Sequence, residues 1–345
     1  MQNKFKYLMI IFFLILNKKK KKIGIIGLSH NNNIGNNLLK FAISIKLYEL
    51  GFIPYIVGLF SNKSNNDISF IKNNSNLRIV RNFSEIKRND YDILIVNSDQ
   101  TWRKFSNTFY DIAFLLFAKN WKIIKFVYGA SLGYSIWKFN KRDENIAKEC
   151  LKSFTGISVR EKNAVYLIQK HLHFKANFVL DPTFLIDEKY YLKFINSYED
   201  KNFSNQSYLF IYLFSQNKKI KNFIEISSKK LNYKIFKVRK SHKNSVNKFL
   251  YGIYNCKAVI TDSYHGTIFS IIFDKPFVSF FSKEDLNDRF ISLKELLHIE
   301  NRFIEYNKTP DFNLLTTRLK FDKKLLNSLK TESITYLKKN LMISF

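Results

Sequence analysis

A chain of 345 residues exceeds what one ordinary hydrophobic core supports, so two domains are expected. With 46% hydrophobic and 25% charged residues, and only 10 Gly and 4 Pro, a disordered or linker-rich chain is excluded. The net charge of +29 would suit a nucleic-acid binder, but the lysines are spread among abundant Asn, Ile, Phe and Tyr with no zinc-finger spacing, aromatic ribonucleoprotein pattern or helix-turn-helix signature, so no specific nucleic-acid partner is expected.

Excess positive charge does favour anionic substrates and anionic membrane surfaces. Cys150 and Cys256 stand far apart with no C-x-x-C pair, which fits a reducing compartment and offers neither a disulfide framework nor a zinc site. The apolar run Tyr7–Leu16 falls well short of the roughly 20 residues that span a bilayer. A lysine block, Lys18–Lys22, follows it in place of a small-residue cleavage site. Residues 1–22 therefore read either as a short extra segment with peripheral contact to the inner membrane face as one use, or as the product of an ill-chosen start codon, and the location expected is cytoplasmic.

From Ile23 onwards, strand-length apolar runs alternate with helix-length amphipathic ones. Strands are expected at Ile23–Leu28, Ile53–Leu59, Asp92–Val96, Ile123–Tyr128, Gly156–Val159 and Phe178–Leu180. Helices are expected at Asn36–Leu50, stopped by Gly51, and at Glu144–Ser153 and Glu161–His171. The polar stretch Asn196–Ser207 interrupts the pattern. It then restarts with strands at Tyr208–Phe214, Lys234–Val238, Ala258–Thr261 and Pro276–Phe280, and helices at Lys218–Leu231, Ser245–Tyr254, Thr267–Phe273 and Leu286–Leu297. A last helix is expected at Asp322–Lys338.

This alternation implies parallel sheets covered on both faces: an α/β protein of two Rossmann-like domains, 23–197 and 205–345, the final helix packing back on the first. The two halves share an architecture and no sequence repeat. Ligands of such sheets bind in the crevice beyond the carboxyl ends of the strands, so the residues after each strand carry the functional reading.

After the first strand, His30-Asn-Asn-Asn33-Ile-Gly35-Asn36-Asn37 lacks the G-x-G-x-x-G of a dinucleotide site, and Asn36 is expected to line the cleft. After Ile93–Val96, the polar residues Asn97, Ser98, Asp99 and Gln100 suit sugar hydroxyls equally with capping the next helix. Gly129-Ala-Ser131-Leu-Gly133 allows close approach by a ligand or by another backbone.

Arg160 ends a strand, and its planar fork matches a carboxylate or phosphate; the alternative is a surface charge pair with Glu161. Asp262-Ser263-Tyr264-His265-Gly266-Thr267 lies between a buried strand and a helix, where free N–H groups and the Thr267 hydroxyl suit an anion and His265 suits proton exchange near neutral pH. His171, His173, His242 and His298 fall in helices or polar loops and carry no functional assignment.

Together these segments resemble the polysaccharide pyruvyl transferase family over about Ile23 to Phe303. The marks are the Gly35-containing turn, Asn97-Ser-Asp-Gln-Thr-Trp102, Tyr128-Gly-Ala-Ser-Leu-Gly133, Ile157-Ser-Val-Arg-Glu-Lys162, Val179-Leu-Asp-Pro-Thr183, Thr261–Thr267 and Asp288-Arg289-Phe290. Departures are Asn97 where the family has Gly, Gly129 where it has Ala, and Tyr264 and Leu132 where Phe is common.

The resemblance implies a fold like the B-type glycosyltransferases and transfer of pyruvate from phosphoenolpyruvate to a saccharide acceptor, lipid-linked or free, of a cell-surface glycan. A cyclic ketal forms and phosphate leaves, with no metal and no cofactor beyond the donor. Arg160 and His265 are the expected catalytic pair. Asn36, Asn97, Ser98, Asp99, Gln100, Ser131, Asp262, Ser263, Gly266, Thr267 and Arg289 are the expected substrate contacts. The alternatives are a nucleotide-sugar-dependent glycosyltransferase of the same fold and a non-catalytic glycan-binding protein.

Overall fold

A computed structural model of the chain describes residues 20–28, 33–59, 66–104, 108–239, 245–282 and 288–342. Most of the segment 1–22, together with His30, His242 and the expected helix start at Leu286, lies outside the described residues. Among the described residues no helix is long and apolar enough to cross a membrane.

Two parallel five-stranded sheets organise the molecule. The first is built from β1 (Lys22–Ile26), β2 (Ile53–Leu59), β3 (Asn76–Val80), β4 (Ile93–Val96) and β5 (Ile124–Val127), in the order β3-β2-β1-β4-β5. Its helices are α1 (Ile34–Glu49), α2 (Asn66–Asn74) and α3 (Phe109–Phe114), followed by α4 (Lys141–Leu151). A short parallel pair, β6 (Ser158–Val159) and β7 (Asn177–Phe178), flanks α5 (Lys162–Leu172) and extends the sheet, since Val127 N donates to Gly156 O and Arg160 N to Ala130 O. After α6 (Lys189–Asn196), the second sheet takes β8 (Tyr208–Tyr212), β9 (Lys234–Lys237), β10 (Ala258–Thr261), β11 (Phe277–Phe281) and β12 (Phe303–Glu305), ordered β12-β11-β10-β8-β9. Its helices are α7 (Lys218–Leu231), α8 (Ser245–Asn255), α9 (Tyr264–Ile272) and α10 (Asp288–Leu297), and α11 (Lys323–Leu341) closes the chain.

The central strands β4, β5, β8, β10 and β11 are buried at every position, as helices on both faces demand. That is why they read as mostly apolar runs rather than alternating ones, interrupted at Lys125 in β5 and Ser279 in β11. In each sheet the strand order reverses between the first strand and a later neighbour, β1 against β4 and β8 against β10. The loops beyond those strands face each other. α1 bridges the halves: Ile34, Leu38 and Phe41 share one core with Tyr264 and Phe269 of α9 and with Phe194 of α6. The last helix lies against the first sheet, where Tyr336, Leu337 and Leu341 pack with Ile23, Ile25 and Phe126. Ser333 there accepts from Leu180 N at 2.9 Å, and Tyr336 donates to Val127 O at 2.8 Å.

The sequence expectation has no counterpart for helices α2, α3 and α6, nor for strands β3 and β12. The short strands β3 and β12 lie at sheet edges, where little burial leaves a weak pattern. α9 starts at Tyr264 rather than Thr267, because Ser263 caps it and accepts from Gly266 N, which moves His265 and Gly266 into the first turn.

Candidate functional site

The facing loops enclose a cleft of about 390 Å³ lined by Leu28, Asn33, Asn36, Asp99, Gln100, Arg103, Phe214, Ser263, Tyr264, His265 and Arg289. The start of α1 forms one wall. Asn33 caps that helix, its side chain accepting from Gly35 N and Asn36 N, while Lys40 donates to Leu28 O and holds the chain leaving β1. The start of α9 forms the other. Two helix N-termini therefore point their positive ends at one space.

Gly35 permits this convergence. A Cβ on it would stand 2.1 Å from His265 Nδ1, so only a residue without a side chain lets the imidazole lie over the α1 backbone. The other ring nitrogen, Nε2, has no hydrogen-bond partner among the described residues; its nearest anion is Asp181 Oδ2 at 3.7 Å. Burial lowers the His265 pKa below its ordinary value; Asp181 opposes this and Arg160 adds to it. At neutral pH the ring is uncharged and able to take a proton.

Arg160 is 2% exposed, and its fork is closed on the protein's own carboxylates: Nη1 donates to Asp181 Oδ2 at 2.7 Å and Nη2 to Asp99 Oδ1 at 3.2 Å. Burial alone would lower its pKa, but Asp181 and Asp99 raise it above the ordinary value. Asp181 also accepts from the N–H and hydroxyl of Thr183, and Asp99 from Asn36 Nδ2 and Gln100 N. Although Asp99 is buried, Arg160 and His265 hold its carboxyl below the usual range. Its φ of +96° is a strained backbone for a non-glycine residue, a conformation worth on the order of 1–3 kcal/mol that the surrounding bonds must overcome.

Arg160 is thus placed one layer beneath the cleft, and the fork expected to meet a substrate anion directly meets Asp99 and Asp181 instead. Nor is it a surface pair with Glu161, which is only 1% exposed and lies 3.8 Å from Arg160 Nε. Burial pushes the Glu161 carboxyl up to about 7, with Arg160 pulling the other way. Neither of its oxygens has a hydrogen-bond partner among the described residues.

Two arginines line the cleft, Arg103 and Arg289. Arg103 is engaged with Gln100 and Tyr134, whereas Arg289 is less tied. Its Nε has no partner among the described residues, it stacks over Tyr264 at 5.3 Å, and burial followed by the nearby Arg160 charge lowers its pKa. Arg160 covers the same Tyr264 ring at 4.9 Å.

Of the expected contacts, Asn36, Asp99, Gln100, Ser263, His265 and Arg289 line the cleft. Others are engaged elsewhere. Thr267 is fully buried, donating to Ser263 O and sharing a hydrogen bond with Ser279. Gly266 packs on Thr261, whose Oγ1 would stand 2.3 Å from a Cβ there, so its smallness serves helix-to-strand contact and not a ligand. Ser131 accepts from Gly133 N below the surface, and Asn97 and Ser98 are buried beneath the cleft floor. Asp262 is occupied by the N–H groups of Phe214 and Ser215 and by Tyr306 OH.

The residues not anticipated are Arg103, Phe214, Glu161 and Asp181. Glu161, Asp181 and Phe214 follow strand ends, so the strand-end rule could have found them; Arg103 carries no such signal. Among the described residues no group of three His, Cys, Asp or Glu side chains is arranged to hold a metal ion.

The model of the polysaccharide pyruvyl transferase family matches residues 33–282. No curated protein matches the sequence. Among solved structures, UGT89C1 of Arabidopsis thaliana, complexed with UDP-L-rhamnose, is similar at TM-score 0.52 and 11% identity, covering 94% of this chain and 98% of that one. MnaA of S. aureus, solved with UDP, matches at TM-score 0.50 and 13% identity over 93% and 97% of the two chains. At these identities the likeness is one of fold: two Rossmann-like domains arranged as in the B-type glycosyltransferases.

Proposed function

We propose a reaction for this cleft on one premise: the chain belongs to the polysaccharide pyruvyl transferase family. The reaction is transfer of pyruvate from phosphoenolpyruvate to two hydroxyls of a saccharide of a cell-surface glycan, as a ketal. One observation carries the reading: Arg289 and His265 line the same cavity beside two helix N-termini, and each holds a buried nitrogen with no hydrogen-bond partner among the described residues. That set suits a small, highly charged anion with a proton to be moved next to it.

Arg289 and the α9 N-terminus hold the phosphate and carboxylate. C3 of the enol gains a proton from solvent, and positive charge develops at C2. A sugar hydroxyl oxygen bonds to C2 and gives its proton to neutral His265 Nε2. The C2–O bond to phosphate breaks with its electron pair, phosphate leaving as the proton is returned. The second hydroxyl then bonds to C2 and releases its proton to solvent, balancing the one taken up at C3. Arg160 acts as a positioning residue, fixing Asp181 under the imidazole and Asp99 under Asn36. The Asp99–Arg160–Asp181 chain keeps negative charge close to the developing cation.

The test is incubation with phosphoenolpyruvate and candidate glycans, reading phosphate release and the pyruvate ketal in the product. Phosphoenolpyruvate should also raise the melting temperature. A rise with a nucleotide sugar and none with phosphoenolpyruvate would instead favour glycosyl transfer, and glycan binding without any phosphate release a non-catalytic protein.

A further inference from the structure

The cleft draws a second guanidinium from the first half of the chain. Arg103, in the loop after β4, lines the same cavity as Arg289 and His265. Its Nε donates to the Tyr134 hydroxyl at 3.4 Å and its Nη1 to Gln100 Oε1 at 3.4 Å, both at the long limit of hydrogen bonding. These bonds fix the plane of the fork without using all its donors. Gly133, at φ +70°, makes room for the arrangement: a Cβ there would stand 3.1 Å from Gln100 Nε2 and 3.2 Å from Arg103 Cδ. Arg103 Cζ lies 5.5 Å from the centre of the Tyr134 ring, and Lys138 Nζ lies 5.7 Å from the same centre. Two cations therefore share one ring, and among the described residues neither forms an ion pair with a carboxylate. The adjacent Lys104, by contrast, is neutralised by Asp143 at 2.7 Å.

Holding like charges side by side costs electrostatic free energy, which a bound anion offsets. A planar guanidinium with spare N–H donors suits the paired oxygens of a carboxylate or phosphate, and the neighbouring ammonium adds a point charge. Phosphoenolpyruvate is already matched by Arg289 and the helix N-termini in the reading above. We infer that Arg103, backed by Lys138, binds an anionic group on the acceptor saccharide, a uronate carboxylate or a sugar phosphate. The inference deepens the pyruvyl-transfer reading and rests on it for the word acceptor, though not for the anion contact itself.

NMR titrations without phosphoenolpyruvate test the contact in three matched pairs. Methyl glucuronoside is compared with methyl glucoside, methyl galacturonoside with methyl galactoside, and glucose 1-phosphate with glucose. In at least one pair the anionic member should bind the parent protein about tenfold more tightly than its neutral counterpart. The uronoside pairs report a carboxylate and the last pair a phosphate, so the preferred pair names the anion. Arg103→Met and Arg103→Gln should each erase the preference, Arg103→Lys should keep part of it, and Lys138→Met should weaken it severalfold. Circular dichroism verifies folding in each variant. Equal or absent binding within all three pairs, or a preference that survives Arg103→Met, overturns the inference. Melting curves with phosphoenolpyruvate, run in parallel, separate the two claims. Arg103→Met should keep the shift that phosphoenolpyruvate gives the parent protein; its loss would assign Arg103 to the donor and overturn the inference. An Arg103-dependent preference with no phosphoenolpyruvate response in the parent leaves the anion subsite standing and removes the pyruvyl reading.

Discussion

His265 lies directly over Gly35, a contact between the two halves of the chain that any side chain at position 35 would break. Alanine inside a helix is ordinarily favoured over glycine by about 1 kcal/mol. Here the gain in α1 opposes a collision with the imidazole. Gly35→Ala should therefore melt within a few degrees of the parent protein and yet lose turnover by roughly two orders of magnitude, the cost of displacing a positioned proton carrier. Steady-state phosphate release beside a thermal melt separates the two effects. Normal turnover would mean that the ring need not stay where it is.

His265→Ala should abolish turnover while leaving the fold intact. The ring's lowered pKa gives the pH dependence its sign: the neutral, proton-accepting form persists below pH 6.5, so the acid limb of kcat/KM should fall below that value. An active His265→Ala enzyme would remove the imidazole from the mechanism.

The two arginines should behave oppositely. Arg289→Ala removes a guanidinium that faces the cleft, so phosphoenolpyruvate affinity drops while stability changes little. Arg160→Ala strips Asp99 and Asp181 of their shared cation and should cost about 3–5 kcal/mol, the usual consequence of leaving one side of a buried pair uncompensated. Arg160→Lys should recover only part of it, because a single ammonium cannot fork between two carboxylates. Urea unfolding and calorimetric titration of phosphoenolpyruvate, on the same preparations, give the comparison.

Glu161 predicts a pH dependence of stability. The folded protein holds this proton up to about pH 7, and an unburied glutamate releases it near 4.5. Between those values the unfolded chain sheds a proton that the folded chain keeps, so this residue's contribution is complete below pH 4.5 and lost as pH rises to about 7. Glu161→Gln should remove that decline. His265, with its pKa depressed, works in the other direction: its contribution is present above pH 6.5 and is lost as pH falls through its folded value. Melting temperatures across pH 4–8 for parent and variant, subtracted, isolate the glutamate.

Much of the architecture was legible because buried parallel strands such as Ile93–Val96 and Ala258–Thr261 leave short, nearly continuous apolar runs whose length separates them from helices. The strand-end rule then pointed to Asn36, Asp99, Gln100, Ser263 and His265, all of which border the cleft. What it could not reveal was depth. Arg160 and Thr267 stand at strand or helix ends like the others, yet their partners Asp181 and Ser279 come from distant segments and draw them inward. Nor could a local pattern show that Asp262, a plausible sugar ligand, is consumed by the loop at Phe214. Arg103 was missed for the same reason: its significance comes from what faces it across the fold.

The position of α11 bears on how the protein is made. Its residues Tyr336, Leu337 and Leu341 complete a core otherwise built from first-half residues between Ile23 and Leu185, so the ribosome delivers the final piece of that half only after the whole second half. A nascent amino-terminal half would wait with Phe126 and Ile23 uncovered, exposed to chaperones and to aggregation throughout translation of the remainder.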